Sequence, residues 1–394
     1  MKVAYITIQF PNIAETFAST DINSLKSMGV DVSIYSMKGR HIDHNKMIKE
    51  RDLNKLSIHQ SNFLEIIIGF WIGIYNVRIF ISTVLFIIKC DPFNYKENLK
   101  MLLLLPSTFY ICSELKKNPP DIVHLFWGHY PSLVIYVLQK MNIRPKTTMF
   151  LGAYDLVLDL GVSKYTAQKV DLIFTHSESN INHLIKQGYD RSKIKMIYRG
   201  IDLNNSNAKI GIKKIKGRIL TAGTLIFEKR FDLVIDLLNE GLNKGFDLTL
   251  EICGTGPEKD KLKKQVEDLS LDDRVSFIGH ISQKKLFEKM SKAPFFIFLS
   301  EKRSERLPNV LKEAMSFGCV CISSNSTGIS ELISSGNDGF VFTKRNYQNI
   351  YKCFELGDVE LKHISENART KIIKLFDVRS SMKRYLNYWN NILK

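Results

Sequence analysis

Glu305 and Glu313 stand eight positions apart inside the stretch Ser300–Leu332, SEKRSERLPNVLKEAMSFGCVCISSNSTGISEL. Between them Leu307, Pro308 and Asn309 read as the start of a helix, because proline at the first helical position lacks an N–H that would be unpaired there anyway. Gly318 is placed to cap the far end, and Cys319–Ser323 reads as a short buried strand. A helix that begins beneath a loop, just after the apolar strand Phe295–Leu299, offers free N–H groups and the positive end of its dipole. That is a site for a diphosphate. Phosphate alone has no use for two flanking carboxylates, whereas the hydroxyls of a sugar do, since one carboxylate can accept from both hydroxyls of a diol. The plain alternative is a solvated loop acid and a helix-face acid.

Two weaker signals lie upstream. Gly223 follows an apolar run, and Lys229 comes six residues later in TAGTLIFEKRFDLVIDLL. A glycine lets backbone approach a phosphate closely and a lysine supplies a point charge. Cys253-Gly254-Thr255-Gly256-Pro257 is a tight turn between a strand and a helix, and a turn needing unusual backbone angles explains its glycines equally well. Together the three turns fall at one sheet edge, which is stronger than any of them alone.

The elements that must hold these turns alternate strand, loop, helix. Strands are expected at Lys2–Ile8, Val30–Tyr35, Asp121–Phe126, Lys146–Phe150, Asp171–Thr175 and Ile194–Ile197, each apolar enough for a parallel strand covered on both faces. The alternation restarts after a polar, basic stretch with strands at Ile219–Ala222, Leu248–Cys253, Val275–Ile278 and Phe295–Leu299. This predicts α/β architecture with two doubly wound, Rossmann-like domains, 1–203 and 219–376, joined by a linker at 204–218. Ligands of such open sheets bind beyond the carboxyl ends of the strands, so a cleft between the two domains is the expected site. Residues 377–394 contain an amphipathic helix, Val378–Leu393, expected to cross back and brace the two halves.

At 394 residues the chain is long enough for two domains, and its hydrophobic and charged contents, 44% and 24%, are those of a folded protein. A net charge of +16 calls for an anionic partner: nucleic acid, membrane or small substrate. No stacking aromatics are interleaved with the basic runs, which argues against nucleic acid. The six cysteines are scattered with no CxxC pair, as for reduced core thiols, and the N-terminus opens on a strand rather than a leader, so a cytoplasmic location is expected. Phe63–Leu105 is strongly apolar, yet its uncharged pieces, 66–77 and 79–88, are short of the roughly 20 residues of a spanning helix. Burial as two core helices is one expectation; an apolar face dipping into a membrane, ringed by Lys89, Lys96, Lys100, Lys116 and Lys117, is the other.

AGTLIFEKRFDLVI, LEICGTGPEKDKL, DRVSFIGHIS, the E-x7-E stretch ERLPNVLKEAMSFG and STGISELISSGNDGFVF together resemble the nucleotide-sugar-binding domain of family 4 glycosyltransferases of the two-Rossmann, GT-B type. FPNIAETFASTDINSLKSMGVDVSIYS, PPDIVHLFWGHYPS, FLGAYDL, DLIFTHSESN and YRGIDL are similar to its first half, and the whole is closest to the bacterial surface-polysaccharide branch. The resemblance covers most of the chain apart from about Arg40–Asn118. It implies that Glu313 accepts the ribose hydroxyls of a nucleoside-diphosphate-sugar donor and that Glu305 contacts the transferred sugar near the reacting carbon. Backbone N–H groups around Leu307, Pro308, Asn309 and Val310 would hold the diphosphate with Lys229, and Gly223, Gly254 and Gly256 would let backbone approach the nucleotide. Thr224 stands where the family has an arginine, so Arg230, in place of a usual glycine, is the candidate substitute. His124 matches the first histidine of an H-x-H pattern whose second position is Phe126, and Leu151 replaces another histidine. His124 is thus the acceptor-side catalytic candidate, a core histidine being the alternative, with His129 and Asp155 next.

The resemblance further implies retention of anomeric configuration, no cofactor beyond the donor, and a lipid-linked oligosaccharide acceptor met at the inner face of an anionic membrane. The chain contains no Asp-x-Asp, so a metal-bridged diphosphate is not indicated. A nucleotide-sugar epimerase of the same architecture and a non-enzymatic basic surface binder are the competing readings.

Overall fold

In the computed structural model, which describes residues 1–13, 15–204 and 212–394, the strands form two parallel sheets. The first has seven strands in the order β3-β2-β1-β4-β5-β6-β7. These are β1 Lys2–Thr7, β2 Asp31–Ser36, β3 Ser57–Gln60, β4 Ile122–Phe126, β5 Lys146–Phe150, β6 Leu172–Thr175 and β7 Ile194–Met196. The second has six in the order β10-β9-β8-β11-β12-β13, with β8 Arg218–Ala222, β9 Thr249–Cys253, β10 Val275–Gly279, β11 Phe295–Phe298, β12 Val320–Ser324 and β13 Phe340–Phe342. Strand β1 lies between β2 and β4, and β8 between β9 and β11, so each sheet is wound outward in both directions from its first strand. The expected doubly wound architecture is present twice. Of the four edge strands, β3 and β13 were not expected, since SIHQ is polar and FVF is only three residues long.

Contacts divide the chain into two compact units, Met1–Arg199 with Val378–Lys394, and Gly200–Asp377. The first unit therefore ends a few residues before the expected 203. Of the expected linker 204–218, residues 205–211 lie outside the described ones. Its later part belongs to the second unit, because the Lys214 ammonium donates to the carbonyls of Met290, Ala293 and Phe317 at 3.0, 3.1 and 2.8 Å. Three carbonyls satisfy all three donors of that ammonium, which fixes the segment instead of leaving it a free connector.

The first unit has an apolar layer on each sheet face. Helix α1, Thr16–Ser27, covers one face together with the terminal helix Val378–Leu393, whose Val378, Met382, Tyr385 and Trp389 join that core. On the opposite face lie α4 (Val77–Cys90), α5 (Tyr95–Leu103), α6 (Leu105–Lys117) and α7 (Ser132–Lys140). The short helix α2, His44–Glu50, and α3, Phe63–Tyr75, precede them. The expectation that Phe63–Leu105 forms buried core helices fails at α3. Only Gly69 and Gly73 of its thirteen residues are buried. A β-carbon on Gly69 would sit 2.0 Å from the Pro106 carbonyl oxygen, so α3 packs on α6 by backbone contact and turns its large side chains outward.

Candidate active site

The second unit brings the two motif glutamates, Lys229 and a helix N-terminus to one sheet edge. Strand β8 ends at Ala222, and the chain passes through Gly223 and the exposed Thr224 into a short 3-10 turn, Phe227–Lys229. The Lys229 ammonium pairs with the Glu305 carboxylate and lies 4.6 Å from the centre of the Phe298 ring. The other Glu305 oxygen accepts from the Ser300 hydroxyl at 2.6 Å. Burial draws the Lys229 ammonium below its usual value, opposed by the Glu305 charge.

Arg230 follows in the left-handed region, φ +52, which is where a glycine would be at ease. Its guanidinium donates to both oxygens of Asp232 and to Glu301 at 2.9 Å. Lys344 holds the other Glu301 oxygen. Arg230 is the expected substitute for a diphosphate-binding arginine, and in this arrangement two carboxylates engage its guanidinium and fix the turn.

Gly254 and Gly256 are required by packing. Gly254 has φ +145, and a β-carbon there would lie 1.8 Å from the Gly223 carbonyl oxygen; one on Gly256 would meet the Leu225 carbonyl oxygen at 2.3 Å. The turns after β8 and β9 thus touch backbone to backbone, and Gly223 N–H donates to the Cys253 carbonyl at 3.0 Å. Closeness to a nucleotide is not needed to explain these glycines, though it is compatible with them.

The motif helix runs Asn309–Ser316 with Pro308 as its N-cap at φ −58, ψ 127. The proline therefore lies one position earlier than expected, since an extended ψ takes it out of the helix while its carbonyl accepts from the N–H groups of Leu311 and Lys312. Asn309 and Val310 then supply first-turn N–H groups that have no partner within the helix. Leu307 is buried beneath them, and so is Lys312, whose ammonium donates to the Asn309 side chain at 3.0 Å. Four residues into the helix, Glu313 accepts from the Gln283 side chain at 2.8 Å. Desolvation by the surrounding protein pushes its carboxyl up to about 7, against the opposing pull of that hydrogen bond and of Lys312.

In the first unit the strand ends β4 and β5 separate the three acceptor-side candidates. His124 is 1% exposed, boxed by Tyr5, Phe174, Tyr385 and Trp389, with Nδ1 2.8 Å from the Thr148 hydroxyl. Desolvation draws it down to about 3, so it stays neutral. The catalytic expectation for His124 is therefore corrected: it is a core residue beneath the terminal helix. His129 and Asp155 do come together, with Nδ1 and a carboxylate oxygen 2.9 Å apart. The same carboxylate accepts from the backbone N–H groups of Gly128 and Gly152, each at 2.9 Å, which locks the two strand-end loops to one another.

The region 203–356 matches the family model described as Glycosyl transferases group 1, and 14–205 matches that of Glycosyltransferase Family 4. The chain is a glycosyltransferase. It belongs to the two-domain type in which a family 4 region is followed by a group 1 region. Among relatives it is 20% identical to the putative colanic acid biosynthesis glycosyltransferase WcaL of Salmonella typhimurium, with 96% of each chain covered. It is 26% identical to an N-acetylgalactosaminyltransferase of Campylobacter jejuni acting on N-acetylgalactosamine-N,N'-diacetylbacillosaminyl-diphospho-undecaprenol, over 56% of this chain and 60% of that one. Among solved structures, Anabaena HepE in complex with UDP-glucose superposes with a TM-score of 0.69 at 15% identity, covering 99% of this chain and 100% of that one. The shared fold is GT-B.

Two residues of the glycosyltransferase were not singled out from sequence. Trp127 follows β4 at φ +85, a conformation that costs free energy for a bulky residue, and its indole N–H donates to the Glu15 carboxylate at 2.9 Å. Burial raises the Glu15 carboxyl, which the Trp127 hydrogen bond and the nearby His129 partly offset. The only hint lay in the position of Trp127, directly after a strand end and before Gly128-His129.

Proposed function

We propose that the enzyme transfers a sugar, with retention of configuration, from a nucleoside-diphosphate-sugar to a lipid-linked glycan during assembly of a bacterial surface polysaccharide such as exopolysaccharide, capsule or O-antigen. The observation that carries the reading is the grouping of Glu305, Lys229, the Asn309–Val310 backbone and Glu313 around one helix start. Glu313 accepts the ribose hydroxyls. The diphosphate takes the first-turn N–H groups and competes for Lys229, which leaves Glu305 to the hydroxyls of the transferred sugar. As the acceptor oxygen bonds to the anomeric carbon, the bond to the diphosphate breaks; the departing diphosphate keeps the electron pair, and one of its oxygens takes the proton that the acceptor hydroxyl loses. Its growing charge meets N–H dipoles and an ammonium that are already aimed, which is electrostatic catalysis. On the acceptor side the buried His129–Asp155 pair takes the place of His124 by holding together the strand-end loops that would meet the incoming hydroxyl. The donor is a substrate, and no further cofactor or metal enters this scheme. The Campylobacter relative, named for a diphospho-undecaprenol substrate, supports the lipid-linked class of acceptor; the proposed site of action is the inner face of the cytoplasmic membrane.

A donor screen tests this, reading nucleoside diphosphate release with and without an undecaprenyl-diphosphate-linked glycan. Acceptor-dependent release that Glu313→Ala and Glu305→Gln reduce by about a hundredfold or more is the expected result. Conversion of the donor with no acceptor would point to an epimerase instead, and thermal stabilisation by RNA but by no nucleoside diphosphate would point to a binding protein.

A further inference from the structure

Helix α3 reverses the usual rule for a surface helix. A helix on the outside of a globular domain turns its apolar stripe inward. Here Gly69 and Gly73 face the protein, in the spacing G-x-x-x-G, while Phe63, Ile67, Phe70, Trp71 and Ile74 face outward. Phe63 and Trp71 keep 76% and 63% of their surface. Glycines at that spacing let two helices approach to backbone contact, an arrangement suited to a helix whose other sides meet lipid. Water offers no reason to leave such a helix uncovered, because each large apolar side chain left exposed forgoes the free energy of its burial.

The neighbouring helices extend the same surface. On α4 the exposed apolar residues are Val77, Ile81, Leu85 and Ile88, and on α5 they are Tyr95, Leu99 and Leu103, in each case one stripe at helical spacing. Arg78, Lys89, Lys96 and Lys100 each follow a stripe residue by one position, which places the cations about 100° around the helix from it. They flank the apolar stripes as phosphate-binding groups would at the level of lipid headgroups. Among the described residues Arg78, Lys89 and Lys96 have no ion-pair partner, whereas the acids of this region are engaged by the fold. Glu65 closes the capping box of α3, Asp91 accepts from the Gly161 N–H, and Glu97 accepts from Lys100 and Tyr130. The local field is positive and the net charge of the chain is +16.

Length decides the mode of attachment. Helices α3 and α4 have 13 and 14 residues and meet at a bend of 101°. At 1.5 Å per residue each is about 20 Å long, short of the ~30 Å hydrocarbon core. No single described helix is long and apolar enough to cross a membrane.

We infer that α3–α5 form a bilayer dock, in which α3 and the outer stripes of α4 and α5 lie among the acyl chains of one anionic leaflet while Arg78, Lys89 and Lys96 hold its headgroups. The inference deepens the lipid-linked acceptor reading by naming the segment that brings the enzyme to its substrate, but it stands on the shape and charge of this surface. Flotation of the full chain with phosphatidylglycerol–phosphatidylethanolamine vesicles, and with phosphatidylcholine vesicles, tests it. Binding to the anionic vesicles is expected, with a blue shift of Trp71 emission, seen as the difference from Trp71→Phe, and quenching by acyl-brominated lipid. The exposed triple change Phe63→Ser, Phe70→Ser, Trp71→Ser is expected to weaken binding by about tenfold or more. Arg78→Gln, Lys89→Gln and Lys96→Gln should each weaken it by about fivefold, an effect that salt mimics. Both sets are expected to leave nucleoside diphosphate binding unchanged, so loss of nucleotide binding in the wild type would count against the transferase reading alone. Wild-type protein that stays in solution with anionic vesicles at low salt overturns the dock. So does a lipid-free, concentration-dependent dimer that the triple change dissolves, because the face would then cover a second copy of the chain.

Discussion

In the proposed donor site Glu313 needs its negative charge to accept two ribose hydroxyls, yet the surrounding protein pushes its carboxyl up to about 7. A carboxyl raised in the folded state above its ordinary value removes stability as pH climbs from the ordinary carboxylate range to about 7, because the folded protein must then release a proton it holds more tightly than the unfolded chain does. A donor whose hydroxyls hydrogen-bond to the ionised form compensates for that loss, so binding and deprotonation are coupled. Affinity for an intact nucleotide sugar, whose phosphates do not titrate near neutrality, should therefore rise with pH up to about 7 and level off above about 8. Calorimetry in two buffers of different ionisation enthalpy should record up to one proton released per donor bound near pH 6. Glu313→Gln should bind more weakly and show neither the slope nor the proton. If the wild type binds equally at pH 6 and 8, Glu313 is ionised before the donor arrives and the coupling is absent.

At the scale of elements, the glycines of α3 decide which way its apolar residues point. Gly69→Ala puts a β-carbon 2.0 Å from the Pro106 carbonyl, an atom fixed in the first turn of α6. Alanine favours a helix over glycine by about 1 kcal/mol, but a collision with fixed backbone costs about 1–3 kcal/mol plus whatever separates α3 from α6. The steric term wins, so Gly69→Ala should lower the urea midpoint of unfolding, while Ile68→Ala, at an exposed site in the same turn, should stay within about 0.5 kcal/mol of wild type. The run FLEIIIGFWIGIY shows why this element was not settled by sequence. Hydropathy marks both a buried core helix and a lipid-facing one, and only the partner of the two glycines separates them. The motif helix was legible for the opposite reason: a strand, a loop, a proline and two acids at fixed spacing leave few ways to fold. Even there the proline proved to be the cap rather than the first helical residue, a one-position shift set by its ψ of 127°. Sequence left the roles of Arg230 and His124 open because a side chain's partners come from distant segments. Glu301 lies 71 residues from Arg230, and the Trp389 ring 5.5 Å from His124 arrives from the far end of the chain.

At the scale of the molecule, the last helix returns to the unit in which the chain began. The amphipathic pattern of Val378–Leu393 predicted the helix with its bounds, and a return was expected, but a pattern of apolar residues cannot say which domain receives them. Trp389 answers that: it is fully buried, donates to the Thr148 hydroxyl at 3.2 Å and packs edge-on against Tyr5 of β1. Replacing a buried tryptophan by alanine removes a large apolar surface and leaves a cavity, at a cost of about 3–5 kcal/mol. That is a large fraction of the 5–15 kcal/mol typical of a domain. Trp389→Ala should therefore destabilise the first unit. Hydrogen exchange should quicken in β1, β4 and β5, and remain unchanged in β8, β9 and β11. Thermal stabilisation by a nucleoside diphosphate should persist, since Lys229, Glu305 and Glu313 all lie in Gly200–Asp377. Trp389→Phe should recover most of the loss, because the ring volume matters more to this core than one hydrogen bond worth about 1 kcal/mol. Equal loss of protection in both sheets would mean that the terminal helix stabilises the second unit as strongly as the first, contrary to where its side chains are buried.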